Sequence, residues 1–290
     1  MCYLAWLSGP AVMLGMKTIV KRVLLVVGVL LLLVLSTGYV RYYDVIHVTP
    51  KSFAETQAVV VPHLQVFAPE GEERRPAVLL FHGCGGVKPS LPRRASEFVE
   101  DGYVAIIVDS FAGRDTDWRR VCDGLEMFGD QRAADVLVGL DFARDHPRVD
   151  ADRLFIAGYS HGGWAVLESL AYTDELPRGL SDGPTDPLAG VRGAITWYPY
   201  CGAATRFSEG WENPIPVLML LAAEDEITAP EPCVEVAGRQ EVAGQPMELH
   251  VFEGVSHAFD TGEDWIVAYD ARQHQAALAR QQAFLARHSR

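Results

Sequence analysis

Residues 155–164 read FIAGYSHGGW and contain the pattern G-x-S-x-G at positions 158–162. The pattern raises the question of whether Ser160 is a nucleophile at a strand-to-helix turn or an ordinary polar residue in a glycine-rich turn. Such a match arises by chance in roughly one chain in ten of this length, given ordinary glycine and serine usage. It is informative only if its surroundings supply a preceding strand, a following helix, oxyanion donors, and a downstream acid and histidine.

The residues on either side of Ser160 satisfy the first two requirements. RLFIAGYS (153–160) is an apolar run of strand length that ends at the serine, and HGGWAVLESLAY (161–172) has helical spacing. A nucleophile at such a turn needs a strained backbone, and small residues two positions before and after it allow the strand and helix to approach. Gly158 and Gly162 are these small residues. The start of the helix would also point its unpaired N–H groups and positive dipole end at the site.

Strand-like and helix-like segments alternate along the chain. Apolar runs typical of strands occur at 77–81, 103–108, 153–157, 194–198, 217–221 and 249–252. Helical spacing occurs at 92–100, 130–144, 162–172, 232–242 and 266–287. This alternation predicts an α/β fold with a mostly parallel sheet covered by helices on both faces. We expect residues 57–67 to add an antiparallel edge strand.

The glycine-rich segment FHGCGG, residues 81–86, follows the predicted strand 77–81. Acyl transfer needs N–H groups aimed at the oxygen that becomes negatively charged. We expect the backbone N–H of His161, next to the nucleophile, to be one donor and that of Cys84 to be the other. A phosphate-binding loop is the alternative, but the segment lacks the Lys-Ser/Thr ending of a P-loop.

The expected order along this kind of chain is serine, then acid, then histidine. Four histidines lie late enough to be the base. His250 falls within a predicted strand, and His274 and His288 fall on the predicted last helix. His257, in GVSHAFD directly after the last predicted strand, is therefore the candidate base.

The acid that orients this histidine should lie just past a buried strand, within reach of the histidine loop. LMLLAAEDEITAP (218–230) places Glu224, Asp225 and Glu226 there. Their position alone does not separate the three residues. A solvated acidic turn is the alternative interpretation.

The N-terminal residues differ in character from the rest. Residues 23–40, VLLVVGVLLLLVLSTGYV, carry no charge and are flanked by basic residues on both sides. Eighteen helical residues reach about 27 Å, close to the hydrocarbon thickness of a bilayer. The basic flank predicts a cytoplasmic N-terminus and an extracytoplasmic (periplasmic or extracellular) remainder. No A-x-A site follows the apolar run, which favours a retained signal-anchor over a cleaved signal peptide that would release a secreted protein.

These features predict four parts of the chain. They are a cytoplasmic segment at 1–22, a transmembrane helix at 23–40, a linker at 41–54 and an α/β domain at 55–290. Met16 opens a more ordinary basic region and is a second candidate for the native start, which would remove Cys2.

The other cysteines are even in number, in a compartment that permits disulfides. We predict the pairs Cys84–Cys122 and Cys201–Cys233, each joining residues more than 30 positions apart. Each would stabilise the fold by roughly 3–4 kcal/mol if unstrained. Four buried free thiols are the alternative.

The 290 residues have a formal net charge of −13, with 49% hydrophobic and 22% charged residues. The acidic balance argues against nucleic acid as a partner, because phosphate binding needs clustered lysine and arginine. A well-solvated acidic surface explains the charge better. The composition is that of a globular protein.

Taken as an ordered set, FHGCGG, DSFAGR, GYSHGG, AAEDEITAPEPC and GVSHAFD resemble the dienelactone hydrolase family of α/β-hydrolases. The resemblance extends from about residue 55 to residue 287. It implies an α/β-hydrolase sheet of about eight strands. It singles out Asp225 as the acid of a triad with Ser160 and His257, and it supports Cys84 and His161 as oxyanion donors.

The chain also departs from the family pattern. Ser160 stands where family members proper carry a cysteine, and HGCGG lacks the glutamate that assists that thiol. Arg114 lies close to one of two arginine positions that hold the substrate carboxylate, whereas Asp260 stands near the other. An acidic residue there should repel an anionic lactone, so we expect a neutral or differently placed ester.

These observations predict a serine hydrolase that cleaves carboxylic esters or lactones (EC 3.1.1.-) through an acyl-enzyme. The partner would be a small-molecule ester, with no metal or organic cofactor required. An amidase, peptidase or acyltransferase with the same triad is the alternative. A binding protein on a hydrolase fold is a third possibility, because fold does not determine function.

Aromatic residues near the motif ends are candidates for a substrate pocket, although large aromatics more often belong to the core. We expect about two of them to contact substrate. They are Phe111, Trp118, Trp164, Tyr198, Tyr200 and Trp211. Trp164, in the helix after the nucleophile, and Arg114 are the candidate substrate-binding residues.

Overall fold

An N-terminal helix, α1, spans Pro10–Arg41. The computed structural model describes residues 10–172, 175–262 and 269–289, with side chains from residue 19 onward. From Ile19 to Arg41 the helix has a mean hydropathy of 2.7, and none of its residues is buried. It is long and apolar enough to cross a bilayer, as predicted for residues 23–40, although a signal sequence has the same properties.

The chain divides into two units, Met1–His47 and Val48–Arg290. A short helix, α2 at Tyr43–Ile46, ends the first unit. The boundary falls inside the segment predicted as a linker. The second unit contains the sheet.

Seven strands form one sheet in the described part of the chain, where about eight were expected. They are β1 Gln65–Phe67, β2 Arg75–Phe81, β3 Val104–Val108, β4 Val149–Tyr159, β5 Val191–Trp197, β6 Val217–Ala222 and β7 Met247–Phe252. Their order is β1-β3-β2-β4-β5-β6-β7. All neighbours are parallel except β1 and β3. The predicted mostly parallel α/β-hydrolase sheet is confirmed.

The predicted edge strand at 57–67 is wrong over most of its length. Helix α3, Phe53–Val60, and a 3₁₀ turn at Val61–His63 precede the short strand β1. Ser52 and Glu55 form a capping box: the Ser52 hydroxyl accepts from the Glu55 N–H, and the Glu55 carboxylate accepts from the Ser52 N–H. This reciprocal cap starts a helix in a segment whose β-branched residues favour a strand.

Six further α-helices follow in the residues that the structure describes. They are α4 Ser90–Glu100, α5 Trp118–Cys122, α6 Gly129–Asp145, α7 His161–Ala171, α8 Pro230–Val242 and α9 Ala271–His288. The first part of the predicted helix at 266–287 lies outside the described residues, and α9 begins after the N-cap Asp270, whose side chain accepts from the Gln273 N–H.

The sheet is buried on both faces, as its near-continuous apolar strands require. Successive residues of β2 illustrate this, since Leu79 belongs to a core cluster with residues of α6 and α7, and Leu80 belongs to a second cluster with residues of α4 and α9. Both leucines are fully buried. Parallel strands place all their carboxyl ends at one edge, so the loops after β2, β3, β4, β6 and β7 converge there.

Two disulfides join Cys84 to Cys122 and Cys201 to Cys233, at sequence separations of 38 and 32. They are the pairs expected from the sequence. The first connects the loop after β2 to the end of α5. The second connects the segment after β5 to α8.

Candidate active site

Ser160 lies at the turn between β4 and α7 with a backbone φ of 55° and ψ of −119°. A residue with a side chain pays about 1–3 kcal/mol for such a conformation, so the surrounding packing must hold it. The packing leaves no space for a side chain two residues before or after Ser160. A Cβ at Gly158 would overlap the Gly162 carbonyl group, and a Cβ at Gly162 would overlap the Phe81 carbonyl oxygen. The glycines of the G-x-S-x-G pattern therefore allow strand and helix to meet.

Ser160, His257 and Asp225 form a continuous hydrogen-bonded chain. His257 Nε2 lies 2.9 Å from Ser160 Oγ, and His257 Nδ1 lies 2.7 Å from Asp225 Oδ2. All three residues are buried. In this geometry the Nδ1–H donates to the carboxylate, which leaves Nε2 to accept from the serine hydroxyl.

Asp225 is held by further donors. Its Oδ1 accepts from the N–H groups of Ile227 at 2.9 Å and Thr228 at 2.8 Å, and the Thr228 hydroxyl lies 2.9 Å from Oδ2. Burial by itself would raise the pKa of Asp225, but the hydrogen bonds from His257 and from these N–H groups outweigh it and lower the pKa. The group is therefore a carboxylate at neutral pH. Its neighbours Glu224 and Glu226 are exposed.

The loop after β2 packs directly against Ser160. A Cβ added at Gly83 would lie 3.5 Å from the Ser160 Cβ, and Cys84 lines the cavity beside the serine. His161 is the first residue of α7, so its N–H has no partner within the helix. In the described part of the chain, no backbone hydrogen bond outside the helices and strands uses the N–H of Cys84 or His161. Both proposed oxyanion donors thus remain available.

His82 was not assigned by the sequence analysis. It supports the loop after β2, residues 82–86, which carries the proposed donor Cys84 and is called the oxyanion loop below. Its Nδ1–H donates to the Gly83 carbonyl at 2.7 Å, and its Nε2 accepts from the Ser110 N–H at 3.1 Å. Burial, and then the nearby Arg132 charge, lower the pKa of His82 to about 4. The imidazole is therefore neutral and ties the loop after β2 to the loop after β3.

Arg132 on α6, also not assigned from sequence, connects the loop after β3 to the turn at Ser160. Its Nε donates to Ser110 Oγ at 2.8 Å, and its Nη1 lies 3.2 Å from His161 Nδ1. Burial and then the Arg132 charge lower the pKa of His161 well below its usual range. The His161 side chain is therefore a neutral imidazole in the interior, where its Nδ1 accepts from Arg132.

A cavity of about 220 Å³ opens beside Ser160 and His257. Much of its wall is apolar, with Leu91, Trp118, Ile227 and Ala258 among the lining residues. Of the aromatic candidates, Trp118 and Tyr198 line this cavity.

The structure does not bring the two candidate substrate-binding residues into the cavity wall. The Arg114 guanidinium donates to both carboxylate oxygens of Asp135, at 2.9 and 2.6 Å, and to the Ser110 carbonyl. Because the buried Asp135 carboxylate forms an ion pair with the Arg114 guanidinium, Arg114 is not free to hold a substrate. Trp164 packs against Phe128 and donates its indole N–H to Glu168 at 2.8 Å.

The expected repulsion by Asp260 is not supported either. The Asp260 side chain is fully buried and pairs with Arg94, which lines the cavity. Arg94 also donates to the Tyr198 hydroxyl at 3.0 Å and lies 3.9 Å from the centre of the Tyr159 ring. Burial opposes the charge of Arg94, but Asp260 and the tyrosines outweigh it and raise the arginine pKa. The Asp260 charge is compensated by Arg94 in the cavity wall, so the site has no uncompensated acid there.

A family model described as the dienelactone hydrolase family matches residues 64–289. The chain belongs to the dienelactone hydrolase family. The resemblance stated from its motifs is thus confirmed. The family places this protein among the hydrolases.

Solved structures with the same fold are similar at low identity. A protein described as a dienelactone hydrolase, from Klebsiella pneumoniae subsp. pneumoniae MGH 78578, is 20% identical with a TM-score of 0.59, over 77% of this chain and 92% of its own. The apo form of Thermogutta terrifontis esterase 2 is 20% identical with a TM-score of 0.59, over 77% and 88%. The same esterase phosphorylated by paraoxon is 21% identical with a TM-score of 0.56, over 75% and 86%.

Among curated proteins, the quorum-quenching protein AidA of Acinetobacter baumannii (strain MDR-ZJ06) is 29% identical over 122 residues. The matched region covers 41% of this chain and 38% of AidA. The alignment therefore spans well under half of the length of that relative.

Proposed function

We propose that this member of the dienelactone hydrolase family is a serine esterase that cleaves neutral carboxylic esters or lactones. The observation that carries the proposal is the hydrogen-bonded chain Asp225–His257–Ser160, which ends at an apolar cavity. A serine hydroxyl in contact with a neutral imidazole, itself oriented by a carboxylate, is the arrangement that activates an oxygen nucleophile.

In the first half of the reaction His257 Nε2 takes the Ser160 proton while Oγ attacks the substrate carbonyl carbon. The carbonyl oxygen becomes negatively charged and accepts hydrogen bonds from the N–H groups of Cys84 and His161. Asp225 stabilises the imidazolium. His257 then gives its proton to the leaving alkoxide, so the C–O bond breaks and an alcohol departs.

In the second half water attacks the acyl-enzyme. His257 accepts a water proton, the tetrahedral intermediate forms on the same donors, and collapse releases the carboxylic acid while Ser160 regains its proton. Each proton that His257 takes is returned within the same half-reaction. No step requires a group outside this chain, the substrate and water.

Much of the cavity wall supports a neutral substrate. Leu91, Trp118 and Ile227 offer apolar contact, and the charge of Arg94 is compensated by Asp260. The other basic residue of the lining is Lys88, whose ammonium lies 5.4 Å from the centre of the Trp118 ring. The phosphorylation of Thermogutta terrifontis esterase 2 by paraoxon, on a similar fold, is consistent with a reactive serine in this position.

We also propose that the protein is anchored by α1 with its α/β domain on the extracytoplasmic side. The apolar span Ile19–Arg41 and the two disulfides support this location. Disulfides persist mainly in oxidising compartments. In this arrangement the residues between Arg41, where α1 ends, and Val48, where the second unit begins, connect the anchor to the α/β domain.

The test is hydrolysis of a panel of p-nitrophenyl esters, lactones and amides by the full-length protein in detergent, with Ser160→Ala as the matched control. We expect ester turnover and fluorophosphonate labelling, both abolished by the substitution. Labelling that persists in Ser160→Ala would contradict the nucleophile. Preferential cleavage of amides would instead favour the amidase alternative, and an absence of both turnover and labelling would favour a binding protein.

A further inference from the structure

The loop that carries one proposed oxyanion donor has little rigidity of its own. Residues 82–86 read HGCGG, and Gly86 has a φ of +81°. Glycine loses more backbone freedom on ordering than any other residue, so contacts from outside must hold such a loop. Within it, the Gly86 N–H donates to the Gly83 carbonyl at 3.3 Å. His82 provides one external connection, as described above.

A second external connection starts from the donor residue itself. Cys84, whose N–H is the proposed donor, is covalently bonded to Cys122. The two Cα atoms lie 5.0 Å apart. A covalent link at Cys84 restrains the direction of its own peptide N–H more closely than a contact elsewhere in the loop would.

The far end of the disulfide belongs to the cavity wall. Cys122 is the last residue of α5, and Trp118 is the first residue of the same helix. Both line the cavity. A helix of five residues has little stability alone, and α5 is held by the buried Val121 and by an Asp117 N-cap. The disulfide therefore fastens the oxyanion loop and this wall segment to each other.

The two disulfides differ in access to solvent. Cys122 is exposed and Cys84 is partly exposed, whereas Cys201 and Cys233 are both buried. An attacking thiolate must reach a sulfur atom, so a dithiol should open Cys84–Cys122 first.

We propose that the Cys84–Cys122 disulfide is a redox-sensitive positioning element of the oxyanion hole, and this inference rests on the proposed esterase function. In the oxidised form the bond holds the Cys84 N–H at the position of the developing negative charge. A dithiol supplies two electrons and two protons, the S–S bond becomes two thiols, and the dithiol becomes a disulfide. The loop is then released, and turnover falls while the triad stays in place.

The test compares two variants of the full-length protein in detergent, Cys84→Ala/Cys122→Ala and Cys201→Ala/Cys233→Ala. The alanine at position 84 keeps the backbone N–H. The control disulfide, Cys201–Cys233, closes a loop of similar length, so its removal should lower the thermal stability by a similar amount. Neither of its cysteines lines the cavity. We expect kcat for p-nitrophenyl butyrate to fall about 10- to 100-fold in the first variant, with KM changed less than about threefold. The control should keep kcat within about twofold.

A second experiment leaves Cys84 and Cys122 unsubstituted and reduces their disulfide chemically. In Cys201→Ala/Cys233→Ala, low dithiothreitol should lower kcat to a similar extent, and oxidised glutathione should restore it, with alkylation and mass spectrometry reporting the state of Cys84 and Cys122. This arm decides the question if the first variant does not fold. Retention of kcat after confirmed reduction, or losses that follow the melting temperature equally in both variants, would overturn the proposal. An oxidised wild type without ester turnover would contradict the esterase function instead.

Discussion

Asp225 and Glu168 are both buried carboxyl groups, one beside His257 and the other on α7, and their surroundings shift their pKa values in opposite directions. Asp225 accepts hydrogen bonds on both oxygens, from two backbone N–H groups, a hydroxyl and His257. Glu168 on α7 accepts from Trp164 and the Arg206 N–H on Oε1 alone, and Oε2 has no partner in the described residues.

The consequence is visible in their pKa values. Partners lower the pKa of Asp225 against the effect of burial, whereas burial raises the pKa of Glu168 from 4.5 to about 7 despite its two donors. Hydrogen bonds to a buried carboxylate favour its ionised form, whereas burial with fewer such bonds favours the protonated form. The surroundings of Asp225 therefore keep it an anion, whereas those of Glu168 favour the protonated form.

The largest expected effect comes from removing the charge of Asp225. Asp225→Asn should lower kcat for p-nitrophenyl butyrate by about 10³- to 10⁴-fold, because the amide favours the wrong imidazole tautomer. The matched change Glu168→Gln should leave kcat within about threefold. A loss of less than tenfold in Asp225→Asn would remove Asp225 from the triad.

His82→Ala should come next. It removes the connection between Gly83 and Ser110, so the Cys84 N–H loses part of its support, and we expect kcat to fall about 10- to 100-fold with little change in KM. His250→Gln, on β7 and away from the cavity, is the control and should keep wild-type kcat. An unchanged kcat in a folded His82→Ala protein would show that the loop does not depend on this histidine.

Asp260→Asn tests how charge compensation shapes the cavity. Arg94 would become an unpaired cation in the wall, so we expect the ratio of kcat/KM for anionic monoesters over neutral esters to rise about tenfold. The double variant Arg94→Gln/Asp260→Asn has no such charge and should not show the shift. If both variants show the same ratio, the cavity charge does not select the substrate.

The smallest expected effect concerns Glu168 and stability. Its folded pKa is raised, so the folded state binds more protons than the unfolded state between about pH 4.5 and 7, and stability falls as pH rises through that range. The group should cost up to about 3 kcal/mol above pH 7. Glu168→Gln should therefore melt a few degrees higher than wild type at pH 8, and this gain should shrink at pH 5. An equal difference at both pH values would contradict a raised pKa.

Much of the fold could be predicted because its strands are long apolar runs buried on both faces. The stretch at 57–67 was misjudged because a two-residue cap at Ser52 and Glu55 outweighed β-branched composition. The candidate site could be predicted in its order along the chain, since the motif at Ser160 requires a later acid and histidine. The contacts that hold the site together could not be predicted from the sequence. Arg94 and Asp260 are 166 residues apart, and Arg114, in the segment after β3, is neutralised by Asp135 on α6.

By itself the sequence determined the class of the fold, the turn at Ser160, the apolar N-terminal span and the family. Each depends on local chemistry, such as glycines that permit close approach or an unbroken run of apolar residues. Only the tertiary structure decided which arginines are paired with buried carboxylates and which loops the exposed disulfide fastens together. These contacts join residues that are far apart in the sequence, and the burial of each charged pair determines how strongly it interacts.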